Sequence, residues 1–415
     1  MPDSAITGQP TRKPRVGLIL AGGGARAAYQ VGVLKAIAEL VPKGGPVPFS
    51  IICGTSAGAI NAAALASEAH DFHKAVARLM RVWENFRINS VFRTEPSRAL
   101  LSGSRWMFSM LFGGLGRFTP VSLLDNSPLR QLLDRELQTQ NIQRWIDAGI
   151  LHAFSITAAA YYSGYSVTFY QGHDNIVPWK RTRRIGVPRP ITLDHLMASS
   201  AIPILFPGVR IGYEFYSDGS MRQMAPLSPA LHLGADRLFV IGARNERPDN
   251  PEEHRVRLEH PTIGQISGFV LDTLFMDTLS MDIERLKRVN NTLQYIPRER
   301  RQGVPLRTIE LQCIFPSHDI RPIIQRHSQD FPRSVRYLLR GIGAMNQGGR
   351  PLMSYLLFEG GFCRDLIDLG YRDATRARHR ILRLLELGSE PSSPTDQGTD
   401  VSRETSFVTS TSPLR

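Results

Sequence analysis

The sequence predicts an α/β fold whose strands are at least partly parallel. Two short apolar runs, VGLILAG (Val16 to Gly22) and FSIICG (Phe49 to Gly54), stop abruptly at glycine, and each leads through a turn into an alanine-containing helical stretch. Short apolar runs closed by glycine read as buried strands. Strand, glycine turn, helix, loop, strand, sharp turn and helix is the arithmetic of layered α/β folds.

In chain order, residues 1–15 (MPDSAITGQPTRKPR) are polar and proline-containing and are expected to be flexible. They lack the apolar core of a secretion signal, and no apolar run reaches the roughly 18 residues of a membrane span. After the first strand, AAYQVGVLKAIAEL (Ala27 to Leu40) is predicted helical, with Ala28, Val31, Leu34 and Ala38 keeping one face apolar. PKGGPVP closes that helix. The second strand is followed directly by a helix over Ala57 to Ala69. Phe72 to Leu133 holds helix-like segments broken by FGGLGRF. Within it RWMFSMLFGGLGRF (Arg105 to Phe118) reads either as a lid over an apolar pocket or membrane surface, or as a buried helix and turn. HAFSITAAAY (His152 to Tyr161), DRLFVIGA (Asp236 to Ala243) and IELQCIFP (Ile309 to Pro316) supply further strands, and a helix-like pattern spans Thr262 to Arg288. Residues 388–415, rich in serine, threonine and proline, read as a disordered tail.

The 415 residues, 42% of them hydrophobic, suffice for a large core. Cys53, Cys313 and Cys363 are too few and too scattered for a disulfide framework or a zinc site, so a reducing, cytoplasmic compartment is expected. The formal charge of +13 favours an anionic partner. Basic clusters at Lys180 to Pro190, Pro297 to Arg307 and Arg376 to Leu385 admit three readings: solvated surface with local ion pairs, contact with anionic phospholipid, and nucleic-acid binding. No base-reading module accompanies the third.

Ser56 lies in a G-x-S-x-G element at the strand-to-helix junction. Gly54 and Gly58 permit a tight turn that exposes a hydroxyl at the carboxyl end of the sheet, and the following helix offers free amides and a field favourable to negative charge. The alternative is a serine that merely caps the helix from Ala57. In AGGGARAAYQ (Ala21 to Gln30) the phosphate-binding P-loop pattern fails for want of Gly-Lys-Ser/Thr. Gly22-x-Gly24-x-x-Ala27 with Glu39 as ribose ligand is a dinucleotide reading, and an oxyanion hole built from the amides of Gly22, Gly23, Gly24, Ala25, Arg26 and Ala57 is the other. Asp218-Gly219, in EFYSDGSMRQMAPLSPAL, is either a hairpin turn or a carboxylate, supported by Gly219, that takes the Ser56 proton.

Taken together and in this order, GGGAR, GTSAG, DGS and the preceding LMASSAIPILFP resemble the patatin-like phospholipase family over roughly Val16 to Leu231, and DTLFMDTLSMDIERLKRVN is similar to a continuation found in bacterial members. The resemblance implies a three-layer α/β/α core at 16–231 with a helical continuation at 232–387. It further implies a Ser56–Asp218 dyad with Ser56 as nucleophile and Asp218 as general base, an oxyanion region at Gly22 to Arg26, and no catalytic metal or cofactor. The implied substrate is a phospholipid or related fatty-acyl ester, and the implied place is the cytoplasm or the inner membrane surface. Ala27 and Ser220 depart from the family's usual glycine and glycine-or-alanine. His232 and His195 are the histidines nearest to a triad role, but their apolar surroundings favour packing. The competing functional class is a non-hydrolytic nucleotide-binding or membrane-associated interaction protein.

Overall fold

The computed structural model describes residues 13–93, 122–245, 260–297, 300, 304, 306–346 and 349–387. The expected flexible start up to residue 12, the Arg105–Phe118 segment with its two readings and the tail from 388 lie outside them.

Among the described residues ten strands form one sheet: β1 (Val16–Leu20), β2 (Ile51–Thr55), β3 (Ala153–Ala160), β4 (Ser166–Gly172), β5 (Lys180–Arg181), β6 (Arg184–Pro188), β7 (Val209–Ile211), β8 (Glu214–Asp218), β9 (Arg237–Ile241) and β10 (Glu310–Ile314). The order is β10-β9-β1-β2-β3-β4-β6-β5, with β8 pairing the end of β3 and β7 pairing β8. From β10 to β3 every neighbour is parallel, so the predicted partly parallel sheet is present. The antiparallel pairs are β3 with β4 and β8, β5 with β6, and β7 with β8.

Alternation of side chains along β1 divides the core into two layers. Leu18 and Leu20 face α1 (Ala28–Ala38), α2 (Ala57–Ser67) and α3 (Phe72–Glu84), whereas Ile19 joins Leu227, Ala230 and Leu279 on the opposite face. Helices on both faces of a mostly parallel sheet make a three-layer α/β/α arrangement. Strands β9 and β10, far along the chain, extend the same sheet beside β1.

Helix α1 differs from its predicted one-sided pattern: every residue except Lys35 is buried. The helix Gly360–Arg376 crosses its outer side, where the Tyr29 hydroxyl and Asp373 Oδ2 lie 3.0 Å apart, and Lys35 stacks over the Tyr371 ring. The Thr262–Arg288 pattern is realised as helices Ile263–Asp272 and Thr278–Gln294 joined by one π-helical turn, Thr273–Asp277. Among the described residues no helix is long and apolar enough to cross a membrane. In the basic clusters, Arg307 pairs with Asp236 and Arg376 with Asp373, as the local ion-pair reading requires of those two.

Candidate active site

Strand β2 ends at Thr55 and α2 begins at Ala57, which leaves Ser56 alone to turn the chain. Its backbone sits at φ 56°, ψ −131°, a conformation that costs a non-glycine residue on the order of 1–3 kcal/mol. The glycines on either side make the turn feasible. A Cβ on Gly54 would come within 2.5 Å of the Gly58 carbonyl, and one on Gly58 would strike the Leu20 and Ala21 carbonyls at the end of β1. The Ser56 side chain makes no capping bond to α2, so the helix-cap reading fails.

The strained turn is held from across the sheet. The Ser56 N–H donates to Ser199 Oγ at 3.0 Å, and the fully buried Ser199 hydroxyl donates to the Thr157 carbonyl at 2.7 Å. Thr157 lies on β3 opposite Thr55, and Ala158, the next residue, lies opposite Asp218 on β8. One strand therefore aligns the serine turn with the acid. Gln223 ties the same point together, accepting from Thr55 Oγ1 at 2.7 Å and donating to Thr157 Oγ1 at 3.2 Å.

Asp218 ends β8 and passes directly into a 3-10 turn at Gly219–Met221; the adjoining hairpin turns instead at Gly212–Tyr213. The hairpin reading of Asp218-Gly219 is thus excluded. The Asp218 side chain has no exposure, its Oδ1 accepts the Ser220 N–H at 2.9 Å, and its Oδ2 has no hydrogen-bond partner among the described residues. The Ser56 hydroxyl approaches closely enough to favour the ionised carboxylate, but the contact stops short of a well-formed hydrogen bond. Burial dominates and pushes the Asp218 pKa up to about 6, against the opposing pull of the Ser56 hydroxyl and of the Ser220 amide and hydroxyl. At Ser220, one of the two departures, the bond to the acid comes from the backbone amide, while the hydroxyl adds only to the pull toward the ionised carboxylate. Ala27, the other, has φ −65°, ordinary helical backbone where a methyl group is tolerated.

The glycine segment enters a 3-10 turn at Gly24–Ala27 that runs into α1. The first amides of a helix have no partner within it, which leaves those of Gly24 and Ala25 available as donors. Gly24 and Ala57 border the same cavity as Ser56, whereas Gly22 lies on the other side of the loop beside Ser220. Arg26 differs from its place among the predicted oxyanion donors. Its N–H closes the 3-10 turn on the Gly23 carbonyl at 3.1 Å, and its guanidinium extends away to residues 351–355. A buried amide network backs the loop: Gln30 donates to the Ala21 carbonyl at 2.7 Å, and Asn61 donates to Gln30 Oε1 and to the Ala27 carbonyl.

The cavity of about 60 Å³ runs from Ser56 between α2 and α3 and is walled mainly by aliphatic and aromatic side chains, among them Ile60, Leu79, Trp83, Leu133, Ile202 and Phe206. Such a lining is complementary to apolar groups rather than charged ones.

Neither histidine joins this group. His232 stacks on Trp179 at 4.9 Å and its Nδ1 lies 2.8 Å from the Ser228 carbonyl; His195 belongs to a capping box with Thr192, packs on Phe169, and has its pKa lowered by burial to about 4. Glu39 follows the last residue of α1, about 16 Å of helix from the glycine turn, and accepts from the Tyr371 hydroxyl at 2.8 Å. It is too far away to serve as a ribose ligand beside the loop. Among the described residues no three His, Cys, Asp or Glu side chains could hold a metal ion together.

Sequence reasoning gave no role to Ser199, Thr157 or Gln223. Only the serine pair within LMASSAIPILFP carried a signal, and its partner, Ser56, is 143 residues away.

Comparison with known proteins places the chain in a family. A family model described as "Patatin: Patatin-like phospholipase" matches residues 18–231. The chain is 25% identical over 227 residues to a "cGAMP-activated phospholipase" of Pseudomonas aeruginosa, which covers 55% of this chain and 58% of that protein. It is 52% identical over 54 residues to "Lysophospholipase nte1" of Aspergillus terreus, 13% of this chain and 3% of that one. The matches therefore span less than two thirds of either relative. VipD from Legionella pneumophila aligns structurally over 90% of this chain and 67% of its own, at a TM-score of 0.33 and 12% identity.

Proposed function

The chain belongs to the patatin-like phospholipase family, and from that premise we propose that it is a serine hydrolase that cleaves carboxylic esters of phospholipids or related lipids through a Ser56–Asp218 dyad and an acyl-enzyme. One observation carries the proposal: a serine in a strained strand-to-helix turn stands beside a fully buried carboxylate and at the end of an apolar cavity.

In the proposed reaction the Ser56 oxygen attacks the ester carbonyl while its proton passes to Asp218. The carbonyl electron pair moves onto oxygen, where amides of Gly24, Ala25 and Ala57 stabilise the charge. Collapse breaks the bond to the alcohol or lysolipid, which leaves with the proton held by Asp218, and Ser56 keeps the acyl chain. Water then gives a proton to Asp218 and its oxygen to the acyl carbon; collapse breaks the bond to Ser56, whose oxygen takes the proton back from Asp218, releasing the fatty acid and restoring both the serine hydroxyl and the carboxylate. A carboxylate with a pKa near 6 is ionised at neutral pH and still basic enough to take part in both steps.

Peripheral contact with an anionic membrane belongs to the same proposal, supported by the net charge of +13 and by the exposed Lys180 and Arg181. The proposed place is the cytoplasm or the inner membrane surface. A panel of short esters, lysophospholipids, phospholipids and triacylglycerols, run with the wild-type protein and Ser56→Ala, tests the hydrolytic proposal. Hydrolysis of at least one lipid ester, lost in Ser56→Ala, is expected. Equal turnover by both proteins, or binding of nucleotide without ester hydrolysis, would reject it.

A further inference from the structure

Arg26 is 3% exposed and lies two residues from Gly24, yet among the described residues the hydrogen bonds, ion pair and ring contact of its side chain go to residues beyond the matched 18–231 segment. Its Nε donates to Ser354 Oγ at 2.7 Å, its Nη1 to the Tyr355 hydroxyl at 3.3 Å, and its Nη2 to the Pro351 carbonyl at 3.4 Å. Nη1 also forms an ion pair with Asp272 Oδ1 at 2.9 Å, and the guanidinium lies 4.1 Å over the Tyr355 ring. The Tyr355 hydroxyl donates to the same Asp272 oxygen at 2.7 Å, closing a triangle of cation, anion and phenol.

The glycine loop touches these same residues directly. Gly24 has φ +55°, and a Cβ there would collide with the Tyr355 carbonyl; a Cβ on Gly22 would come within 2.6 Å of the Phe275 ring, which itself packs on Tyr355 at 5.2 Å. Asp272 ends one helix and Phe275 sits in the π turn that follows, an irregularity that often re-aims side chains at functional sites. Tyr355 also borders the cavity shared by Gly24 and Ser56. A buried ion pair is seldom the most stable filling of its space, but its planar fork restricts orientation more tightly than apolar packing does.

Building on the hydrolase proposal, we infer that Asp272 and Tyr355 are positioning residues of the same site. Acting through Arg26, they fix the loop from Gly22 to Ala25 so that the amides of Gly24 and Ala25 meet the oxyanion, and the segment beyond residue 231 thereby completes the catalytic apparatus.

The test uses the full chain, a medium-chain p-nitrophenyl ester, and an alkyl trifluoromethyl ketone, which Ser56 converts into a tetrahedral oxyanion adduct. Asp272→Asn keeps an acceptor but removes the charge. Tyr355→Phe keeps the ring and removes the hydroxyl. Each is expected to lower kcat at least about ten-fold with KM within about two-fold, since only the transition state uses the amides. Affinity for the ketone should fall by the same factor as kcat/KM, a link that general loosening of the structure would not produce. The double variant should be no worse than the poorer single one, because both act through one guanidinium. Wild-type kcat in both variants, a change confined to KM, or unchanged ketone affinity despite a lower kcat would overturn the inference. If Asp272→Asn does not fold, Tyr355→Phe alone decides. A wild-type protein that neither hydrolyses the ester nor binds the ketone would reject the hydrolase proposal itself, whereas an active wild type with unaffected variants would reject only the positioning role.

Discussion

Replacing Asp218 with asparagine should stabilise the protein while abolishing hydrolysis. The side chain is fully buried and its pKa is raised from 3.8 to about 6, chiefly by loss of hydration. A rise of that size corresponds to about 3 kcal/mol between the two protonation states. The sign follows from the direction of the shift: the folded chain holds the proton more tightly than the unfolded one. This contribution therefore favours folding below pH 3.8 and is lost as the pH rises through about 6. At pH 7.5 the wild type carries an ionised, partly unsatisfied carboxylate, and Asp218→Asn does not. Asparagine keeps an oxygen for the Ser220 N–H, so the main loss is the charge. For a chain of 415 residues a gain of about 3 kcal/mol raises Tm by roughly 4 °C. Thermal unfolding of both proteins at pH 7.5 and pH 4.5 measures it: the gain should be present at the higher pH and shrink at the lower. A variant less stable than wild type at pH 7.5, or a gain independent of pH, would refute the reasoning. Function and stability would then not be opposed at this residue.

Three further outcomes follow from the same geometry. Below about pH 6, kcat/KM should fall about ten-fold per pH unit as Asp218 takes up its proton, and a flat acid limb in a pH–rate profile would remove the base role. Ser199→Ala leaves the Ser56 amide and the Thr157 carbonyl without their shared hydroxyl, so unfolding measurements should show a loss of about 1–3 kcal/mol and kinetics a larger fall in kcat than in substrate affinity. Ala64→Phe places a ring in the cavity; turnover measured across a series of acyl lengths should drop for long chains and hold for short ones.

The central strands and the serine turn were legible because their determinants are local. VGLIL and IICGT are apolar runs bounded by glycine, and the turn at Ser56 needs glycine within two residues on either side. The position of Asp218 came from the order of motifs, since nothing local distinguishes its DG pair from a hairpin turn. Only the pairing of β8 with β3 does so, and that joins residues 56–60 positions apart. Strand β4 escaped notice because SVTFYQG alternates polar and apolar residues and so offers no continuous apolar run, although six of its seven residues are buried. The burial of α1 on every side is set by Gly360–Arg376, more than 300 residues later. Arg26 was legible as part of a motif, but the direction of its side chain depends on Asp272, Ser354 and Tyr355, whose proximity arises only on folding.

The most direct test of the dyad is covalent. Wild type, Ser56→Ala and Asp218→Asn are treated with an alkyl fluorophosphonate, and the intact masses and the modified peptide are measured. One adduct per wild-type chain, mapped to Ser56, with none on Ser56→Ala and much slower formation on Asp218→Asn, is the expected result. An adduct on another residue, or equal labelling of all three proteins, would contradict the assignment of Ser56 as nucleophile and Asp218 as its base.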